Sequence, residues 1–270
     1  MICLFLILQS LLIHPVRTVT VPDHSEKVGI SVTGDLYLLS STANTIYRLS
    51  ADGQLIGQYG RKGTGAQFLN QPVSLWCSND LLIHVADRNN HRITTLSREL
   101  GLIGQMEGIP FDGQEERFRY PGGVVVTPGG DWFILDTGNK RIIRLNPRQT
   151  ITSLLGDIDA GLGRLIQPDR LILTENRLFV HDQAGATWQE FDGFGNTLQS
   201  FPDSLGTPAS VLSTLCFVRQ DGRILREKST GEWQQLSLPE GSQVLDVVSK
   251  GNQLFILTNR LLLTYLLEME

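Results

Sequence analysis

The segments "VADRNNHRITTL" (85–96) and "ILDTGNKRIIRL" (134–145) superpose without a gap, so Asp87 falls on Asp136, Asn90 on Asn139, Arg92 on Arg141 and Ile93 on Ile142. An internal repeat at an offset of 49 residues restricts the fold more than any other feature of the chain. Each copy must be one supersecondary unit that buries its apolar face against a neighbour. Weaker copies keep the frame on either side. "LLSSTANTIYRL" (38–49) has Ser40 in the Asp position, and "VHDQAGATWQEF" (180–191) keeps Asp182 and puts Trp188 where the Ile stands.

Every copy has the same surroundings. A short apolar run near a proline ("QPVSLWC", "YPGGVVV", "QPDRLIL") leads through a tight polar turn to a second apolar run that ends in the motif. A third and a fourth run follow. Short β-branched segments between Gly, Asp and Asn turns predict antiparallel sheet, and four strands per unit is one propeller blade. Units centred on 28–60, 72–106, 121–156 and 168–200 are followed by a degenerate fifth (209–238) and three strands of a sixth (242–268). The β-branched segment "RTVTVP" (17–22) is left over and predicts closure of the ring from the N-terminal side. Closure removes the exposed sheet edges that invite aggregation. The expected fold is therefore all-β: a six-bladed β-propeller of four-stranded antiparallel blades closed by an N-terminal strand.

The pattern "GRKGTGAQFLNQPVSLWC…LLIHVADRNNHRITTL", with Asn90, His91 and the apolar residues that follow, resembles the NHL repeat, and "RFRYPGGVVV…WFILDTGNKRIIRL" matches it with Lys140 in place of the His. The resemblance covers about two-thirds of the chain and implies a fold more than an activity. Asp87, Asn90, Arg92, Asp136, Asn139, Arg141 and Asp182 are expected to be structural. The carboxylates accept turn N–H groups, the asparagines tolerate a left-handed backbone, and the arginines pair with the carboxylates. A catalytic residue has no reason to recur at one place in successive blades.

Function is then expected on the loops that join one blade's outer strand to the next blade's inner strand. These are the long ones: 60–71, 106–120, 156–167 and 200–207. Arg61, Lys62, Glu115, Glu116, Arg117, Phe118, Arg119 and Tyr120 mix charge with aromatic area and make the candidate binding surface. Packing between blades is the competing reading for Phe118 and Tyr120. The formal charge of −5 argues against nucleic acid. The expected partner is a protein, peptide or glycan, bound by a monomer.

No catalytic residue, metal ligand or cofactor is assigned. His84 and His181 sit at different blade positions, and Asp80, Asp131 and Glu175 lie in turns on the opposite face. "DGQEER" and "DIDAG" leave Ca²⁺ open without a full ligand register. The alternative function is a metal-dependent hydrolase or lyase resembling lactonase-type propellers, with its site in the central channel. "MICLFLILQSLLIHPV" predicts a signal peptide over 1–17, hence export to a periplasmic or extracellular space, with the single propeller over 18–270. A membrane is involved only if that segment stays uncleaved. Cys77 and Cys216 fall in blades 2 and 5, across the ring, beyond the roughly 7 Å that a disulfide spans, so free thiols are expected.

Overall fold

The computed structural model describes residues 12–78, 81–111, 114–156, 161–226 and 232–267. Most of the apolar N-terminal segment, with Cys3, lies outside the described residues, as do Asp80, 157–160 and the side chain of Glu115.

The strands form six small sheets arranged as the repeats require. Blade 1 is Lys27–Ile30, Leu36–Ser40, Thr45–Leu49 and Leu55–Tyr59. Blade 2 is Pro72–Cys77, Ile83–Asp87, Arg92–Leu96 and Leu102–Met106. Blade 3 is Pro121–Val126, Trp132–Asp136, Arg141–Leu145 and Ile151–Leu155. Blade 4 is Pro168–Thr174, Arg177–Asp182, Thr187–Phe191 and Thr197–Pro202. Blade 5 is Thr207–Val211, Thr214–Val218, Arg223–Arg226 and Glu232–Leu236. Blade 6 takes Asp246–Lys250, Gln253–Leu257 and Leu261–Leu266 from the C-terminal end, and Arg17–Thr20 as its outer strand. That last pairing, Arg17 opposite Thr264 through Thr20 opposite Leu261, closes the ring. Leu12–Ile13 adds a short parallel strand beside Glu232–Leu236.

The burial pattern follows from each strand's place. The second strands of blades 1, 2 and 3 are buried at every position, because both their faces lie against neighbouring blades. Outer strands such as Leu55–Tyr59 face solvent along most of their length. The apolar side chains sort into six clusters, one at each blade junction, from Tyr37, Ile46, Ile83 and Val85 between blades 1 and 2 to Val19, Val28, Leu38 and Leu257 where blade 6 meets blade 1. Burying each Val or Leu contributes about 1.5–3 kcal/mol, so every junction holds several such contributions.

The Asp motif is the clamp between blades. Asp87 Oδ1 accepts the N–H of Asn70 in the preceding linker at 2.7 Å, and the N–H of Asn89 donates back to Asn70 O at 3.0 Å. Asp136 repeats both bonds with Arg119, at 2.7 Å each. Gly138 donates the second of them, and a Cβ there would meet Arg119 O at 2.6 Å. Oδ2 of each Asp takes the amide of the Asn three residues on and the guanidinium of the Arg five residues on (Asn90 2.8 and Arg92 2.8 Å; Asn139 2.8 and Arg141 3.0 Å). Arg92 also donates to the carbonyls of Thr64, Gly65 and Phe68 and so holds the Gly-rich linker down. Asp182 accepts from Ile166, Gln167 and Ala184.

Two expectations are corrected. The left-handed residue is not the Asn but the one after it: His91 (φ 53°), Lys140 (φ 55°), Asn44 (φ 56°) and Ala186 (φ 48°). Asn90 and Asn139 lie in a 3₁₀ turn, their amides spent on the Asp carboxylate. The second correction concerns 106–120, which is not an open loop. Gly108–Phe111 and Gln114–Arg117 pair as a hairpin, and Phe118 folds beneath it at 3 % exposure, in one cluster with Ile109 and Ala86. Phe118 therefore belongs to the junction of blades 2 and 3 and not to the binding surface.

Cys77 and Cys216 are both free. Burial pushes both thiols up, that of Cys216 to about 12.

The clamp makes a stability prediction. Asp136 is fully buried, and its removal strands the Arg119 N–H, the Asn139 amide and part of Arg141. Asp136→Ala should lower the unfolding free energy by about 3 kcal/mol in urea titration, against a smaller loss for Asp136→Asn, which keeps an acceptor. A wild-type midpoint in Asp136→Ala would refute the clamp.

Candidate functional site

The linkers and the turns between second and third strands share one face of the ring. The residues that join them show this: Asn90 Nδ2 donates to Gly63 O at 2.9 Å, and the Tyr120 N–H donates to His91 Nδ1 at 3.0 Å. Tyr120 has a left-handed backbone (φ 52°), is 40 % exposed and lays its ring 4.4 Å from that of His91. Gln71 has the same geometry (φ 54°), its N–H donating to Asn44 Oδ1.

The sequence-predicted residues divide on this face. Arg61 and Lys62 are exposed in the first linker, with Arg61 over the Phe68 ring at 4.6 Å. Arg117, Arg119 and Tyr120 are exposed in the second. Glu116 is neutralised by Arg141 at 2.8 Å. Among the described side chains, Arg61, Lys62 and Arg119 place exposed positive charge beside the exposed Glu107, on a chain whose total is acidic.

The inner strands of all six blades enclose a central cavity of about 330 Å³ with mixed walls, apolar at Ile30, Leu75, Trp76, Ile172 and Val248 and polar at Ser74, Ser210 and Ser249. Its mouth on the linker face is closed by charge. Asp246 Oδ1 meets Lys27 Nζ at 3.3 Å and Arg170 at 3.1 Å, while Oδ2 accepts the Val28 N–H at 3.0 Å. Burial pulls the Lys27 ammonium below its ordinary value, with Asp246 opposing and Arg170 adding to the shift. At the other mouth Lys250 Nζ donates to Ser31 O and Val32 O, both at 3.0 Å.

Beside the first mouth lies a second, larger cleft of about 690 Å³, bounded by blades 4, 5 and 6. His181 stands in its wall with Nδ1 2.6 Å from Asp169 Oδ1 and Nε2 3.4 Å from Asp203 Oδ2. The hydrogen bond to Asp169 raises the His181 pKa above its ordinary 6.5, burial opposing and Asp203 helping. Burial works to raise Asp169, but hydrogen bonds from His181 and Gln183 outweigh it and leave its pKa lowered. Both shifts favour the charged form of the pair, imidazolium against carboxylate. The Trp188 ring lies 5.0 Å from His181 and 5.5 Å from the Arg170 guanidinium carbon. Arg170 borders both cavities.

Among the described residues no group of three or more His, Cys, Asp or Glu is placed to hold a metal ion. His84 is a core residue, its Nδ1 3.1 Å from Thr95 Oγ1 and its ring 4.3 Å from that of Trp132. Asp131 pairs with Arg144 at 2.6 Å, and Glu175 accepts the Ser213 N–H.

Lys27, Arg170 and Asp246 carried no sequence signal, because tertiary structure alone brings them together. His181 carried one. The repeats put Ala86 and Leu135 at its register, so an ionisable residue there breaks an apolar pattern.

No family model matches the chain. Over 82 residues, 29 % of the chain, it is 29 % identical to NHL repeat-containing protein 3 of Homo sapiens, and that stretch spans 24 % of the human protein. Among solved structures it resembles a streptogramin B lyase (TM-score 0.62, 17 % identity, 94 % of this chain and 88 % of that one). It also resembles virginiamycin B lyase from Staphylococcus aureus (TM-score 0.61, 14 % identity, 89 % and 80 %). A catalytically inactive variant of that lyase with quinupristin is similar to the same degree (TM-score 0.59, 14 % identity, 93 % and 99 %). At these identities the likeness is one of fold. The NHL-type resemblance of the repeats thus finds both a sequence match and a propeller architecture.

The His181 pair sets a pH dependence. A raised histidine pKa contributes stability that is complete below 6.5 and lost as pH rises through the folded value. The lowered Asp169 contributes stability that is complete above 3.8 and lost as pH falls through its folded value. The pair's contribution should therefore be level between those two values and decline outside them. NMR titration should place the His181 pKa above 6.5, and Asp169→Asn should bring it back down; a wild-type value in the variant would refute the pairing.

Proposed function

We propose that the protein is an exported, non-enzymatic binding propeller that recognises an acidic peptide or protein segment through the linker face. The observation that carries this reading is the exposed strip of Arg61, Lys62, Arg119 and Tyr120 on that face, while the repeated polar residues are consumed by the scaffold. Arg and Tyr combine directional hydrogen bonds with contact area, and a basic strip steers an acidic partner. A glycan suits the face less well unless it carries negative charge. The apolar N-terminal segment supports export.

The lyase-like fold raises the other reading, a metal-dependent hydrolase or lyase working in the channel. That chemistry needs donors converging on an open coordination position. Asp246 at the mouth is already shared between Lys27 and Arg170, so the described channel favours binding over metal-assisted catalysis.

The test uses an array of Asp- and Glu-rich peptides. Lys62→Glu with Arg119→Glu should weaken the bound peptides at least roughly tenfold, while Arg148→Glu, on the opposite face, leaves them within about twofold. Equal losses from both variants, or no peptide retained at physiological salt, would remove the linker face as the binding surface.

A further inference from the structure

We infer that the cleft between the linkers leading into blades 5 and 6 is a binding site for a small polyhydroxylated carboxylate, a sugar acid in its chemistry, with Arg219 as the charge anchor. This site is separate from the basic strip and does not depend on it.

The cleft lies where the Asp clamp is missing. In blades 2, 3 and 4 the first residue of the inner strand is paired with the Asp: Pro72 with Asp87, Pro121 with Asp136, Pro168 with Asp182. In blade 5 the same register pairs Thr207 with Val218, which has no side-chain acceptor. The linker still packs against Val218 and the Arg219 N–H at Gly206, where a Cβ would clash, and beside that contact Asp203, Gly206, Thr207, Val218 and Arg219 stand in the walls of the cleft.

The polar side chains around this space are uncommitted. Those of Ser204, Thr207, Gln220, Ser242 and Gln243 line it, and none hydrogen-bonds to another described residue. The Arg219 guanidinium likewise makes no hydrogen bond and no ion pair with a described residue, and Asp221 acts on it only through space. The Asp221 carboxylate is itself held by Arg223 at 2.6 Å. By contrast Arg92, Arg141, Arg144 and Arg170 each hold a carboxylate.

Hydroxyl and amide groups around one guanidinium match a ligand with several hydroxyls and one carboxylate. Asp203 and Asp221 at the rim disfavour a dianionic phosphoester, since each further negative charge is set against them. A volume near 690 Å³ suits a monosaccharide or disaccharide acid.

The test is an NMR titration of the ¹⁵N-labelled full chain with glucuronate, and in parallel with glucose and with acetate. Glucuronate should give saturable shifts confined to 203–207, 219–221 and 242–244, with glucose and acetate at least roughly tenfold weaker. Arg219→Gln should erase the preference for glucuronate over glucose, and Arg219→Lys should keep part of it, both with the wild-type unfolding midpoint. Absence of saturation to about 50 mM glucuronate would overturn the assignment. So would an equal response to acetate, which marks an adventitious ion, or unaltered binding by Arg219→Gln. None of these outcomes bears on peptide binding, which is read from the Lys62 and Arg119 variants.

Discussion

The ring depends on one two-way contact, made in blades 2, 3 and 4: a buried carboxylate at the end of the second strand accepts the N–H of a linker residue, and the turn after it returns an N–H to the same linker's carbonyl. Apolar burial at the six junctions supplies more free energy, but it is non-directional and tolerates sliding of one sheet over the next. The clamp is directional. It sets how far each linker descends before the chain enters the next inner strand, and so it sets the register between blades. Its charge is tolerable in a dry site because Arg and Asn occupy the second oxygen.

A second contact extends the clamp across the junction. The residue in left-handed conformation after the motif offers an acceptor, Asn44 Oδ1 or His91 Nδ1, to the N–H that precedes the next blade's proline. This gives a physical reason for Asn or His at that place: each tolerates or is enriched in left-handed backbone, and each carries a lone pair at the right reach. Lys140 satisfies only the first condition. The bond to Nδ1 also requires an unprotonated nitrogen there, which fixes the proton of neutral His91 on Nε2.

The repeats made the blade count, the strand order and the ring closure legible, because a period of this kind leaves few architectures. They also located the clamp residues, although not the residue that turns left-handed. That choice depends on which groups are spent: the Asn amide is consumed by the carboxylate, so the backbone reversal falls one residue later. The burial of Phe118 was open in the sequence, since a single aromatic after a charged run suits a surface or a junction equally well. The cleft was not legible at all. Its walls come from two linkers and a turn of separate blades, beside Val218, which stands where blades 2, 3 and 4 carry Asp.

That absence gives the degenerate fifth blade a physical interpretation. A blade that loses its carboxylate forfeits a buried hydrogen-bonded group, and drift alone would be expected to fill the space with apolar side chains, as at the other junctions. Blade 5 took that course at the Asp position itself, where Val218 is buried in the junction with blade 6, but not in the linkers beside it. Its second strand is buried and apolar through Leu215, Cys216, Phe217 and Val218, and the junctions on both sides remain packed, so the sheet is intact. The polar residues gather only where the clamp would have been. On the far wall, His181 is an ionisable group at a register the other blades keep apolar, and two carboxylates hold it in place. Two departures from the repeat, Val218 for Asp and His181 for an apolar residue, border one space, the cleft among blades 4, 5 and 6. The fold can accommodate it there because the clamps of blades 2, 3 and 4 already set the curvature, and the N-terminal strand seals the ring on the other side of blade 6.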